Sequence, residues 1–211
     1  MCALDNSTQL SRRAFSGAAL AALVVAPGAF AAPVLTAGSP LGPFYPIRRL
    51  AENDWDLTRL KGHANRAKGE VIEVTGRVLD RFGKPIRGAQ LELWQCNAAG
   101  RYAHANEQSA MPLDPDFQGY ASVTTARDGE WRITTIKPAS YASPIGQRSP
   151  HIHFDIRGRD ERLIAQMYFP EEAPANANDQ LYKELGGDAP TAVATSAGAG
   201  RYRWNIVLMD G

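Results

Sequence analysis

Cysteine and histidine are both scarce in this chain, with two of the first and four of the second in 211 residues. Cys2 and Cys96 alone cannot build a disulfide scaffold. Charge of one sign is also lacking. Twenty-three Lys and Arg against 22 Asp and Glu leave a formal +1, so no basic field points to nucleic acid. No apolar run is long enough to span a bilayer: Gly17–Ala32 would extend about 24 Å as a helix, short of the roughly 30 Å hydrocarbon core. Long helical periodicity and internal repeats are missing as well. What remains, at 44% hydrophobic and 21% charged residues, suits a folded protein with a real core rather than a disordered one.

The apolar run has a different use. Ser11-Arg12-Arg13-Ala14-Phe15 precedes it, and Ala29-Phe30-Ala31 closes it with a small-x-small pattern. A charged start, a short apolar stretch and small residues at the end are the marks of an export signal, expected to be cleaved near Ala31/Ala32. An uncleaved membrane anchor is the competing reading, and the length argues against it. Ser-Arg-Arg-x-Phe resembles the twin-arginine signal, with Ser16 where that pattern usually has Leu. The resemblance implies passage of an already folded protein through the twin-arginine export machinery to a periplasmic or secreted destination. Cleavage would remove Arg12, Arg13 and Asp5, leaving the two charge signs balanced. It would also remove Cys2, leaving Cys96 as a small buried hydrophobe.

Residues 32–69 are rich in Pro and Gly and then polar, and read as an extended arm with one or two helical turns over Asp54 to Lys61. From residue 70 the texture becomes strand and turn. Val71 to Leu79, Ala89 to Trp94, Tyr120 to Thr125, Trp131 to Ile136, His151 to Arg157, Leu163 to Phe169 and Tyr202 to Met209 are the expected strands. Leu91 and Leu93 share one face of their strand, while Gln90, Glu92 and Trp94 share the other. Arg127-Asp128-Gly129-Glu130 carries a hairpin signal between two of the strands. Ala189 to Gly200 reads as a mobile small-residue loop. About seven short strands with Gly- and Pro-rich turns predict an all-β, single-domain β-sandwich over 70–211, with an N-terminal arm and long loops around its site.

Chemistry concentrates in Ser149-Pro150-His151-Ile152-His153-Phe154 at the start of a strand. Residues i and i+2 of a strand point to one side, so both imidazoles face one site. This pattern alone does not name a metal, since zinc, copper and iron sites all use paired histidines. Two tyrosines stand in flanking loops, Tyr102 in Gly100-Arg101-Tyr102-Ala103-His104 and Tyr141 in Lys137-Pro138-Ala139-Ser140-Tyr141. His63 and His104 lie in polar surroundings and are expected to be solvated.

With those tyrosines, residues 70–170 resemble the intradiol ring-cleaving dioxygenases, closest to the iron-bearing chain of the protocatechuate 3,4-type enzymes. Leu93-Trp94-Gln95, Gly100-Arg101-Tyr102, Pro112-Leu113-Asp114-Pro115, Thr135-Ile136-Lys137-Pro138, Pro150 to Phe154 and Gln166-Met167-Tyr168-Phe169 occur in the family's order. The resemblance implies a non-haem Fe(III) held by Tyr102, Tyr141, His151 and His153, and insertion of both atoms of O2 into a catechol to give a cis,cis-muconic acid. It makes Tyr141 a ligand that also receives a substrate proton, and Arg148 the charge beside the ring. Gln166 becomes a hydrogen-bonding support of the site. Fe(III) with two phenolates and one hydroxide is formally neutral, which lets it be buried cheaply.

Leu41-Gly42-Pro43-Phe44-Tyr45 resembles a segment that folds over the family's pocket, making Pro43 and Tyr45 candidate substrate contacts; a merely packed arm is the alternative. The stretch Ala142 to Gln147 is shorter than the protocatechuate-type loop and lacks its Pro-Trp, which leaves the ring substituents open. A homo-oligomer is expected, because one chain carries both arm and ligands. Two other readings compete. Val74 to Asp80 and Gly83 to Glu92 also resemble transthyretin-like and carboxypeptidase-regulatory β-sandwich binding modules, which need neither tyrosines nor a histidine pair. A zinc hydrolase needs a carboxylate or cysteine ligand that no convincing motif supplies.

Overall fold

The computed structural model describes Met1, residues 33–47 and residues 52–210. Contacts divide the chain into Met1–Ala31 and Ala32–Gly211, and the fold below is that of the second unit. The expected signal peptide lies outside the described residues.

Alternation of apolar and polar residues sets the strands. In β1 (Val71–Asp80), Ile72, Val74 and Val78 are buried while Val71, Glu73 and Arg77 face outward. β4 (Glu130–Ile136) pairs antiparallel with β1 from Val71↔Ile136 to Arg77↔Glu130. β10 (Arg201–Arg203) and β11 (Ile206–Leu208) run parallel to β1, with Thr75↔Arg203 and Val78↔Ile206 in one continuous register. The expected strand from Tyr202 to Met209 is therefore split in two. Gly76 explains the break: a Cβ there would lie 1.8 Å from the Trp204 carbonyl oxygen, so only glycine permits this approach. β9 (Thr195–Ser196) completes this sheet beside β10.

The second sheet has the order β3-β2-β7-β8, from β3 (Tyr120–Thr124), β2 (Gln90–Trp94), β7 (His151–Arg157) and β8 (Arg162–Tyr168), all antiparallel. Leu91, Leu93, Ile152, Phe154, Ile156, Ala165 and Met167 pack with Ile72, Val74, Ile133 and Trp204 in one apolar core, confirming the all-β sandwich. Full burial of each such side chain contributes about 1.5–3 kcal/mol.

Four local expectations are corrected. The 127–130 turn is tight, with Ala126 N donating to Glu130 O at 2.9 Å, but β3 and β4 belong to different sheets and form no hairpin. Asp-Gly turn chemistry shapes the bend; it does not decide which strands pair. Residues 54–61 form turns rather than helix, held to the sheet by Thr134 N donating to Trp55 O and Leu57 N to Thr134 O, each at 2.8 Å. Gly186–Ala192 is a 3-10 helix, and Ala189, Ala192 and Ala194 are buried, so the first half of the 189–200 stretch serves close packing while Thr195 to Ala199 are exposed. The stretch after Tyr141 is a small hairpin, β5 (Tyr141–Ser143) and β6 (Gly146–Arg148), rather than an irregular loop.

Both faces of the second sheet are covered. One faces the sandwich core. The other, carrying Glu92, Trp94, His151, His153, Asp155 and Gln166, is buried too. The arm starts on β11, where Thr36 N donates to Val207 O at 3.0 Å, and then reaches this sheet, with Ser39 N donating to Ile164 O at 2.8 Å and the Tyr45 hydroxyl to Glu92 at 2.6 Å. The short helices α1 (Ala173–Asn176) and α2 (Gln180–Glu184) lie beside its β7–β8 end, where Asp179 and Asn176 contact Arg148 and Ser149.

Candidate metal centre

His151 and His153 leave β7 on the polar face, and both rings are fully enclosed, at 1% and 2% exposure. The His153 ring stacks on Trp94 at 4.8 Å and 10°. A Cβ at Gly42, whose φ is 77°, would come within 3.3 Å of His153 Cε1, so the arm crosses this ring at a point where glycine is needed.

Two segments bring in the tyrosines. Asn97 shapes the first: its Oδ1 accepts from Ala99 N and Arg101 N at 2.9 and 3.0 Å, and its Nδ2 donates to Pro112 O at 3.0 Å. Gly100, at φ 78°, lets that loop approach the second segment, since a Cβ would sit 2.8 Å from Ser140 O. The second is the β5–β6 hairpin, whose register puts Tyr141 directly opposite Arg148. The Tyr102 and Tyr141 ring centres are 5.4 Å apart. Tyr102 lies 6.3 Å from His153, and Tyr141 lies 5.7 Å from His151. A binding module with tyrosines remote from the histidine pair is not what the chain builds.

The protonation states suit a metal. His151 Nδ1 faces Ser149 O at 2.6 Å, so it carries the ring proton and Nε2 presents its lone pair. Burial, with Arg148 nearby, holds His151 down at about 3, against the partial opposition of that carbonyl. Burial, His151 and Arg148 hold His153 well below 6.5. Both imidazoles are thus neutral, as ligands must be. Their Nε2 atoms lie 3.1 Å apart, a spacing suited to two nitrogens on one ion. Burial pushes Tyr141 up to about 12 and Tyr102 well above 10. The Tyr102 hydroxyl is buried with no partner of hydrogen-bonding geometry among the described residues, although Tyr141 is close enough to act on it electrostatically. A bound cation reverses the preference of such phenols and holds them ionised. Among the described residues no group of three or more His, Cys, Asp or Glu is placed to hold a metal. Among the described residues the tyrosines are the groups that complete the pair, so the donor set is two hard phenol oxygens and two imidazoles, which fits iron(III) better than a zinc hydrolase.

Arg148 is 4% exposed beside this cluster. Its Nε donates to Asp179 Oδ2 at 2.9 Å, and its Nη2 to Gln166 Oε1 at 2.5 Å and to the Tyr168 hydroxyl at 3.3 Å. Gln166, wholly buried, therefore supports the arginine. Asp179 links this arginine to a helix. Its Oδ1 accepts from Leu181 N and Tyr182 N as the N-cap of α2, while Oδ2 takes Ser149 N and Arg148 Nε. An Asp before Gln-Leu-Tyr-Lys-Glu is a recognisable helix start; its second role needs the three-dimensional fold.

A cavity of about 900 Å³ opens onto Tyr141, Arg148 and His153, with Pro43 and Phe44 of the arm in its wall. Tyr45 is not among its lining residues: its ring stands edge-on to Trp94 at 5.0 Å, with its hydroxyl on Glu92. The candidate substrate contact from the arm is thus Pro43, while Tyr45 anchors the arm. His104 is half-buried rather than solvated, with Nε2 donating to Tyr45 O at 3.1 Å and Nδ1 accepting from Asn106 N at 3.1 Å. His63 is exposed, as expected, and meets Asp116 at 2.9 Å. Cys96 is buried, its thiol pushed up to about 12 by burial.

A family model described as "Dioxygenase" matches residues 41–210. The chain is 43% identical over 146 residues to the protocatechuate 3,4-dioxygenase beta chain of Burkholderia cepacia, covering 67% of this chain and 62% of that one. This chain belongs to the intradiol dioxygenase family. The alpha chain of a Pseudomonas putida protocatechuate 3,4-dioxygenase is 34% identical to this family member over 151 residues, covering 67% of this chain and 73% of that one. A catechol 1,2-dioxygenase of Candida albicans is 31% identical, and the matched stretch spans only 51% of its length. Among solved structures, the dioxygenase domain of a dioxygenase–carbohydrate-binding fusion from Streptomyces sp. SirexAA-E aligns with a TM-score of 0.63 and 25% identity, over 84% of this chain and all of that one. An intradiol ring-cleavage dioxygenase from Tetranychus urticae reaches the same TM-score at 18% identity, covering 83% of this chain and 94% of that one, a likeness of fold.

Proposed function

We propose that the chain is an iron(III)-dependent intradiol dioxygenase, opening a catechol between its two hydroxyl-bearing carbons with both atoms of O2 to give a cis,cis-muconic acid. The observation that carries this reading is the convergence of two phenols and two neutral imidazoles on one buried face, with a clamped arginine beside them. Tyr102, Tyr141, His151 and His153 are the residues that would hold the metal. When bound, iron(III) would supply a Lewis acid that keeps the phenols ionised and favours the deprotonated form of a catechol.

The chain's own residues do the rest. Ser149 O fixes the His151 tautomer so that Nε2 faces the site. Tyr141 Oη, at the cavity wall, receives a proton from the incoming catechol hydroxyl. Arg148 presents fixed positive charge where the ring becomes electron-rich, and Asp179 and Gln166 hold it in place so that no reorientation is needed. Phe44, stacked on Tyr102 at 4.5 Å, and Pro43 close the wall against water.

Loading the full chain with iron(III) should colour it, because iron(III)-phenolate pairs absorb visible light. Oxygen uptake with a panel of catechols, with ultraviolet spectra of the products, should show muconic acids and not extradiol products. An iron-loaded chain that stays colourless and consumes no oxygen would overturn the reading. Export belongs to the same proposal: residues 1–31 direct the folded protein through the twin-arginine machinery, a reading supported by Ser11-Arg12-Arg13-Ala14-Phe15. Arg12→Lys with Arg13→Lys should keep the protein in the cytoplasm of the expressing cell. The chain is read as assembling with copies of itself, which sedimentation of the purified protein tests.

A further inference from the structure

The cavity beside Tyr141, Arg148 and His153 says more than that a ring fits. Its volume of about 900 Å³ is near the top of the roughly 300–1,000 Å³ range of ligand pockets, which leaves space beyond one catechol ring. Away from the imidazoles, the apolar part of its wall is formed by Phe44, Met111, Pro144, Ile145 and Leu181, beside the uncharged polar Asn106, Gln108, Ser109 and Gln147. Met111 and Ile145 are about half exposed, at 48% and 45%, so large apolar side chains stand at the mouth.

The charges on this wall are few and unevenly matched. Among the described lining residues the only Lys, Arg, Asp or Glu side chains are Arg148 and Glu107. Arg148 is already ion-paired with the buried Asp179 at 2.9 Å and bonded to Gln166. Glu107 has no ion pair among the described residues: its oxygens take backbone N–H groups only, from Ser109 at 2.7 Å and Tyr102 at 3.5 Å. A carboxylate on the substrate ring would therefore leave water, find no uncommitted cation on the described wall, and meet a second carboxylate. An alkyl or aryl group at the same ring position would instead cover apolar wall.

We infer that this site selects catechols bearing an uncharged, apolar ring substituent and discriminates against ring carboxylates, with Glu107 and the apolar mouth as the determinants. The inference rests on the catechol-cleaving reading of the same site. It also separates this chain from relatives named for protocatechuate, which is a ring carboxylate.

The test uses the full chain loaded with iron(III). Calorimetric titration without oxygen gives dissociation constants for 4-tert-butylcatechol and protocatechuate, and oxygen uptake follows on the same pair. The alkylated ring should bind more tightly by on the order of a hundredfold, the scale of a like-charge juxtaposition. Ile145→Arg, at an exposed turn, should narrow that ratio by about tenfold by adding a cation at the mouth. Glu107→Gln keeps the acceptor for Ser109 N and should narrow it in the same direction. Equal or tighter binding of protocatechuate by the unaltered chain overturns the inference, as does a ratio that neither substitution moves. Failure of both catechols to bind is a different result: it overturns the functional reading, and this inference falls with it.

Discussion

The two faces of strand β7 are buried almost equally, and they are built on opposite principles. Phe154 is 0% exposed on the sandwich side, and His151 is 1% exposed on the other. On the inner face, burial needs only apolar area and fitting shapes, because the hydrophobic effect is not directional. On the outer face every donor and acceptor needs a partner in the right place. Those partners come from far along the chain: the arm, the 95–119 segment, the β5–β6 hairpin and the segment after β8. The comparison teaches that burial alone does not separate a core from a site. The polar side differs in gathering several buried polar atoms that have no hydrogen-bond partner among the described residues, the Tyr102 hydroxyl, His153 Nδ1 and Gln166 Nε2 among them.

Substitutions can break this comparison from either side. The largest effect is expected from His153→Ala, which should fold with unchanged circular dichroism yet hold no iron and show no turnover; wild-type iron content in that variant would erase the distinction between the faces. Phe154→Ala on the inner face should cost about 3–5 kcal/mol in urea unfolding. Its folded fraction should still take up iron, because the core residue contacts no ligand donor. Asp179→Asn sharpens the picture of the polar face. It should lower stability by about 2 kcal/mol, as a charge-assisted bond is lost, and slow turnover by about tenfold with iron content and the visible band retained. A structural defect alone would change stability without a matching fall in kcat.

The smallest effect lies outside both faces. Lys137 meets Glu171 at 2.7 Å and Glu172 at 2.9 Å. Burial tends to raise the Glu171 pKa, but Lys137 and the Tyr202 hydroxyl outweigh it and bring it below the ordinary 4.5. A depressed carboxyl stabilises the fold fully above its unfolded pKa, and that contribution fades as pH falls through the folded value. Partial exposure keeps the effect modest. Glu171→Gln should therefore flatten the acid limb of the stability profile below about pH 4.5 and leave the neutral range nearly unchanged.

Much of the inner face was legible in the sequence, because period-two alternation states directly which side of a strand is apolar. The cluster of His151, His153, Tyr102 and Tyr141 was legible through the family's segments, not through spacing; nothing local ties Tyr102 to a strand some fifty residues later. The turn at 127–130 was misread because the same Asp-Gly bend serves a hairpin and a crossing between sheets. The sequence leaves Tyr45 open between a substrate contact and a packed arm, because motif position does not say which way a ring points; in the fold Glu92 takes its hydroxyl. Asp179 was missed since its capping role is local but its hold on Arg148 spans 31 positions.

That one aspartate ties two events together. With one oxygen it starts α2, and with the other it holds the arginine and the backbone just before His151. A molecule whose 170–184 segment has come loose thus also loses its oriented guanidinium, and no half-assembled form retains a correctly charged site. Under mild denaturant, protection of the Leu181 and Tyr182 amides against hydrogen exchange and the rate of turnover should disappear at the same midpoint, ahead of the sandwich itself.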